Sequence, residues 1–311
     1  MPTDSPEAIR LDRLVVRYRK KPAVNGLSLS VPRGSVYALL GDNGSGKSTT
    51  MKVLTGQIRP DAGRASMLGK DCWTEAAKLR HVAGYVPDRP KLYDWMTVGE
   101  IGWFTAAFHK PGFRERYLDW AGRLNLDPGK KLKDFSKGGY ARVSLALALA
   151  PDPDILLLDE PTSGLDLHTR REFLANLVDL AAEGRTILIS SHSISELERF
   201  ASHVAVVQNG TATHATTLDE LRSRFLRIEL RHEGESFDLK RFGTVCETSR
   251  VGRSIQAILL DPDRGALAEL KRRADIHDYG ESPVGLEDCY AALTRPGHEL
   301  ASAGAGAEVL R

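Results

Sequence analysis

The sequence predicts a doubly wound α/β sheet followed by a smaller α/β unit, on three observations. Unbroken aliphatic runs at 155–158, 186–190 and 204–207 have the composition of strands covered on both faces. Helical patterns at 144–150, 167–182 and 194–201 alternate with those runs. A glycine-rich loop separates a third kind of segment, the buried-strand pattern SVYALL at 35–40, from a helix over 48–55. A chain of 311 residues suits two domains, or one domain and an appendage.

Taken in order, residues 11–18 and 27–31 read as two short strands flanking a basic turn, an opening β-hairpin. The strand–loop–helix segment at 35–55 follows. Next comes a stretch dense in aromatics: Tyr93, Trp95, Trp103, Phe104, Phe108, Phe113, Tyr117 and Trp120. Ile101, Phe104 and Phe108 recur at helical spacing, so most of these rings are expected to fill a small helical core. The main domain is expected to span 8–221, with a helical subdomain at about 90–150. Beyond it, 226–230 and 254–260 read as strands, 264–273 as a charged surface helix and 285–293 as a closing helix, giving an accessory α/β domain at 222–295. The tail 296–311, small-residue and without apolar period, is expected to be mobile.

The formal charge is only +2, which excludes the broad basic field of a nucleic-acid binder. The longest apolar run is six residues (145–150), where a bilayer span needs roughly 18 to 20. Residues 1–11 carry Pro2, Asp4, Pro6 and Glu7 where a secretory signal needs basic and then apolar residues, so a cytoplasmic location is expected. Cys72, Cys246 and Cys289 are too scattered for a disulfide framework or a zinc site.

The chemistry is written most plainly at 41–49, GDNGSGKST, a full GxxxxGK[ST] between strand and helix. Gly41, Gly44 and Gly46 let the backbone of Asp42, Asn43, Ser45 and Thr49 curl so that N–H groups face phosphate oxygens, and a helix N-terminus adds its dipole. Lys47 suits the β- and γ-phosphates of ATP, and the Ser48 hydroxyl suits Mg2+. Residues 155–160 (ILLLDE) set Asp159 and Glu160 at the carboxyl end of a buried strand, where open α/β sheets bind ligands. Asp159 is the expected magnesium ligand, and Glu160 the group that orients or deprotonates the attacking water.

Over roughly 8–221 the sequence resembles the ATP-binding subunit of ABC transporters. FSKGG at 135–139, followed by Arg142 and Val143, stands where that family carries its signature. TSGLD at 162–166 matches the loop after the magnesium-binding strand, His192 the switch histidine, and Tyr18 the aromatic that stacks on adenine. The resemblance implies a head-to-tail dimer of identical chains, with ATP between the phosphate loop of one copy and Ser136, Gly138 and Gly139 of the other. It implies that His192 meets the γ-phosphate, and it sets Asp166 among the nucleotide-binding residues. It further implies a separate membrane permease, with this subunit peripheral on the inner face of the cell membrane and Trp95 exposed as a contact. The C-terminal extension is similar to a tail common on exporter-type subunits for drugs, peptides or lipids.

Three residues depart from that family pattern. Asp88 stands for the usual glutamine and is taken as a third magnesium-side ligand. Lys137 stands for glycine, either near the triphosphate or toward solvent, and Gly139 stands for glutamine. Two other classes stay open. A soluble, permease-free ABC ATPase of the tandem kind would show a second phosphate loop, and one built on long coiled coils would separate Lys47 from Ser136 by far more than 89 positions. A low-turnover nucleotide-binding regulator is the other.

Overall fold

The computed structural model describes residues 7–233 and 237–295; the expected mobile tail at 296–311 lies outside the described residues. The chain divides into two compact units, 1–215 and 216–311.

The first unit opens with β1 (Glu7–Tyr18), β2 (Lys21–Pro32), β3 (Val36–Leu40), α1 (Lys47–Leu54), β4 (Ala62–Met67) and β5 (Lys70–Asp71). There follow α2 (Ala76–Leu79), β6 (Ala83–Val86), α3 (Val98–Ala106), α4 (Phe113–Arg123) and α5 (Lys137–Leu149). It closes with β7 (Ile155–Asp159), α6 (Leu167–Ala182), β8 (Thr186–Ser191), α7 (Ile194–Leu197), β9 (His203–Gln208) and β10 (Thr211–Thr217). Two sheets result, one ordered β2-β1-β4-β5 and one ordered β10-β9-β3-β8-β7-β6. In the first, β1 pairs antiparallel with β2 and β4. In the second, β3, β6, β7, β8 and β9 run parallel, and every residue of β3, β7 and β8 is buried. Burial on both faces is why these strands read as unbroken aliphatic runs.

Helix α1 lies in the layer between the two sheets. Its Met51, Val53 and Leu54 share one core with Leu14, Val24 and Leu27 on the antiparallel side and Leu39, Leu157 and Leu188 on the parallel side. Burying three large apolar side chains is worth roughly 1.5–3 kcal/mol each. The base of the phosphate loop is thereby fixed by core packing on two sides.

The aromatic stretch differs from expectation. The inward stripe of α3 is Val98, Ile101 and Gly102, and that of α4 is Phe113, Tyr117 and Ala121. Gly102 is needed here because a Cβ would lie 2.1 Å from the Tyr117 ring. Helix α3 ends at Ala106, so Phe108 falls outside it, and Tyr93, Trp95 (65% exposed), Trp103 and Phe108 remain on the surface rather than in a core.

The second unit contains α8 (Leu218–Ser223), β11 (Phe225–His232), β12 (Thr244–Val251), β13 (Ser254–Leu260), α9 (Arg264–Leu270), β14 (Ile276–Ser282) and α10 (Leu286–Thr294). Its strands form one antiparallel sheet in the order β12-β13-β11-β14, over a core that includes Ile228, Leu230, Leu259, Leu267 and Leu270.

Candidate active site

The phosphate loop connects β3 to α1 and is shaped by glycine where nothing else fits. Gly46 has φ of 113°, and a Cβ there would stand 2.6 Å from the Ala23 carbonyl oxygen. At Gly41 a Cβ would meet the Val207 carbonyl oxygen at 2.4 Å. The loop is clamped from outside: the Gly210 N–H donates to the Ser45 carbonyl at 2.9 Å, and the Asn25 N–H to the Gly210 carbonyl at 2.8 Å. Helix α1 begins with no side-chain cap and no acidic residue in its first turn. Its leading N–H groups are therefore available to an anion. The Lys47 ammonium, 5% exposed, donates to the Gly41 carbonyl at 2.6 Å and the Asp42 carbonyl at 3.1 Å, and stands 3.6 Å from Glu160 Oε1.

Asp159 ends β7 and is 2% exposed. Its Oδ1 accepts from Ser48 Oγ at 3.0 Å and Ser190 Oγ at 2.8 Å. Burial raises its pKa above the ordinary carboxylate value, and the negative charges of Asp88 and Glu160 push the same way against the two serine hydrogen bonds. Glu160, one residue on, adopts φ of 48°, a strained conformation held by its N–H donating to the Ser190 carbonyl at 3.1 Å. That turn sends the two carboxylates apart. Glu160 Oε2 lies 2.7 Å from His192 Nδ1 and accepts from the His192 N–H at 3.2 Å. With Glu160 ionised, the proton of a neutral His192 sits on Nδ1 and leaves Nε2 as the outward atom. Among the described residues, Glu160 Oε1 is buried with no hydrogen-bond partner.

Lys47, Ser48 and Glu160 open onto a cleft of about 360 Å³ whose lining also includes Tyr18, Pro22, Asn43 and Asp88. The donor set fits magnesium: the Ser48 hydroxyl and the buried Asp159 carboxylate, both hard oxygen donors, touch at 3.0 Å.

The 135–139 turn lies elsewhere. Ser136 caps α5, its Oγ accepting from the Gly139 N–H at 3.3 Å. With Lys137, Tyr140 and Ser163 it lines a second cavity of about 310 Å³, and Asp88 lines both cavities. Gly138 and Gly139 pack tightly: a Cβ would meet Thr169 Cγ2 at 2.4 Å and Phe135 Cδ1 at 2.2 Å respectively. Lys137 is exposed, and its ammonium donates to the Ser163 carbonyl at 3.4 Å. Asp166 caps α6, both its oxygens accepting from Thr169.

Known proteins align with this arrangement. The family model described as ABC transporter matches residues 24–163, which hold the phosphate loop, the signature turn and both carboxylates, and a second model, described as an AAA domain, matches 140–198. The chain is 36% identical over 295 residues to a Nod factor export ATP-binding protein of Burkholderia orbicola, covering 89% of this chain and 94% of the relative. The chain belongs to the ATP-binding subunits of ABC transporters. This ABC subunit is also 30% identical over 315 residues to a daunorubicin/doxorubicin resistance ATP-binding protein of Streptomyces peucetius, covering 94% of each. Among solved structures it superposes on an ATP-binding subunit of an ABC transporter with TM-score 0.63 and 27% identity, covering 70% of this chain and 92% of that one. A cassette from a Clostridium perfringens ABC transporter complex gives TM-score 0.62 and 29% identity, over 70% and 91%. The unit 1–215 thus carries the P-loop ABC ATPase fold, and the subunit binds and hydrolyses ATP.

Sequence reasoning missed Ser190. In this ABC subunit its hydroxyl bonds the Asp159 carboxylate and also accepts from the Glu160 N–H at 3.0 Å, so one serine spaces both acids. The only signal was a hydroxyl residue directly after the aliphatic stretch Ile187–Ile189, two positions before His192. Arg170 was also missed; it donates to Glu196 at 2.9 Å and to the Leu165 carbonyl at 3.1 Å, tying the 162–166 loop to α7.

Proposed function

We propose that two copies of this subunit enclose MgATP head to tail and use its hydrolysis to drive export of a drug, peptide or lipid-like molecule through a separate permease. One observation carries the reading. Lys47, Ser48 and Glu160 line one cleft, with Asp159 bonded to Ser48 and His192 to Glu160, while Ser136, which opens the turn carrying Gly138 and Gly139, lines another cavity. A nucleotide that engages both sets needs a second copy. The exposed Ser136 at the start of α5, with the helix dipole behind it, offers a second anion-binding end beside the first loop.

Each residue then has a job. The first-turn N–H groups and Lys47 hold the phosphates, Tyr18 at the cleft mouth stacks on the base, and Ser48, Asp159 and Asp88 are the magnesium ligands. Magnesium, when bound, neutralises charge on the phosphates. Glu160 is the base: Oε2 is fixed by His192, and Oε1, buried and free of hydrogen bonds, accepts the proton of the attacking water. His192 Nε2 faces the γ-phosphate, and Asp166 follows the signature at the copy–copy face.

Residues 8–221 act as the ATPase domain and 222–295 as an accessory unit. Among the described residues no helix is long and apolar enough to cross a membrane. As the family resemblance implies, the permease is a separate chain, meeting this one from the cytoplasmic side of the cell membrane at the exposed Tyr93, Trp95, Trp103 and Phe108. The names of the two relatives, Nod factor export and drug resistance, support export. The test is Glu160→Gln: ATP binding should persist while turnover stops and an ATP-dependent dimer accumulates on a sizing column. Wild-type turnover in that variant removes Glu160 as base, and a monomer at saturating MgATP removes the enclosed dimer.

A further inference from the structure

Tyr140 sits in the first turn of α5, four residues after Ser136, and its hydroxyl does not face the nucleotide cleft. It accepts from the Leu92 N–H at 2.9 Å and reaches the Leu92 carbonyl at 3.2 Å and Asp94 Oδ1 at 3.1 Å. All three contacts fall on the segment that carries Tyr93 and Trp95. A hydroxyl has one proton and here two acceptors, so it bonds either the neutral carbonyl or, more strongly, the Asp94 carboxylate. The same segment is laddered to the approach to Ser136: the Lys133 N–H donates to the Asp94 carbonyl at 3.0 Å, the Leu132 N–H to the Met96 carbonyl at 2.8 Å, and the Val98 N–H to the Lys130 carbonyl at 3.0 Å. The exposed aromatic segment and the turn Phe135–Gly139 are thus strapped together from both ends of that turn.

We propose that Tyr140 is a positioning residue that links the Tyr93/Trp95 surface to the signature turn, so that enclosure of nucleotide at Ser136–Gly139 changes residues 92–97 and contact at 92–97 changes the signature turn. The inference rests on the enclosed-dimer reading, and the link works in both directions because coupling free energy is reciprocal.

The experiment is hydrogen–deuterium exchange on the full chain with and without saturating MgATP, for wild type, Tyr140→Phe and Asp94→Ala. In wild type, nucleotide slows exchange both at 41–54 and at 92–97. In Tyr140→Phe the protection at 41–54 and its half-saturating ATP concentration are unchanged, whereas the response at 92–97 is lost. Asp94→Ala, which alters only an exposed side chain and one arm of the junction, reduces that response. A response at 92–97 that survives in Tyr140→Phe, or that is missing from wild type while 41–54 is protected, overturns the proposal. Absence of protection at 41–54 in wild type sinks the nucleotide reading beneath it.

Discussion

Two strands in this molecule end in the same way and serve opposite purposes. β7 runs into Glu160 at φ 48°, and β13 runs into Asp261 at φ 49°, so each presents a carboxylate from a left-handed turn just past a strand. Asp261 is gripped by the Arg224 fork at 2.9 and 2.7 Å, and that hydrogen bonding holds its pKa below the usual value. In the cleft, Asp159 beside Glu160 is pushed the other way by burial, and Glu160 keeps one oxygen without a hydrogen bond. Strand-end geometry therefore does not make a site. What separates the two is how fully the chain's own partners satisfy the carboxylate: the Arg224 fork bonds both oxygens of Asp261, whereas Lys47 stands 3.6 Å from Glu160 Oε1 and leaves that oxygen without a hydrogen bond.

The largest effect that tests this contrast is on turnover. Glu160→Gln keeps the shape of the side chain and removes the base, so hydrolysis should fall by roughly 10²- to 10⁴-fold with ATP affinity nearly unchanged. Steady-state phosphate release and nucleotide binding measured side by side decide it. Turnover within a factor of two of wild type would make Glu160 as structural as Asp261. Gly139→Ala comes next, on stability: the new Cβ meets Phe135, a clash costing about 1–3 kcal/mol, read from the shift of the urea midpoint multiplied by the m-value. Ser136→Ala removes a cap worth ~1 kcal/mol and the hydroxyl of the signature cradle, so turnover should fall further than the stability loss explains. Asp88→Asn is expected to shift the magnesium concentration for half-maximal turnover; wild-type turnover with wild-type magnesium dependence would remove Asp88 from the ligand set.

The nucleotide cleft was legible in the sequence because its chemistry is local. A phosphate loop needs glycine, lysine and serine at fixed spacing between a strand and a helix, and two acids at a strand end are visible as letters. Ser190 was not legible, because its role depends on β8 lying beside β7, a pairing 31 residues apart in sequence. Lys137 was undecided for the same reason: Ser163, which it reaches, is brought near only by the fold. In the second unit, β11 and β13 were read from their apolar residues, while β12 and β14 were not, since they are edge strands with mostly exposed side chains and no alternation to see. The aromatic stretch misled because helical spacing predicts an apolar face without saying whether the molecule itself covers it; Trp103 and Phe108 fall outside the stripes that α3 and α4 bury.

The smallest effect sharpens the comparison from its quiet side. Asp261→Asn leaves the turn able to form but removes the ion pair with Arg224. Both side chains are substantially solvated, at 37% and 55% exposure, so the loss should be under about 1 kcal/mol. Because the folded carboxyl titrates below its unfolded value, the pair's contribution is fully present above the ordinary carboxylate range and fades as pH falls through the lowered folded value. Thermal midpoints of wild type and variant should therefore differ by a small amount at neutral pH and converge on acidification, while ATP turnover stays unchanged. A difference that persists undiminished in acid would mean that Asp261 works through the turn's shape rather than its charge, and the contrast with Glu160 would then be one of backbone, not of electrostatics.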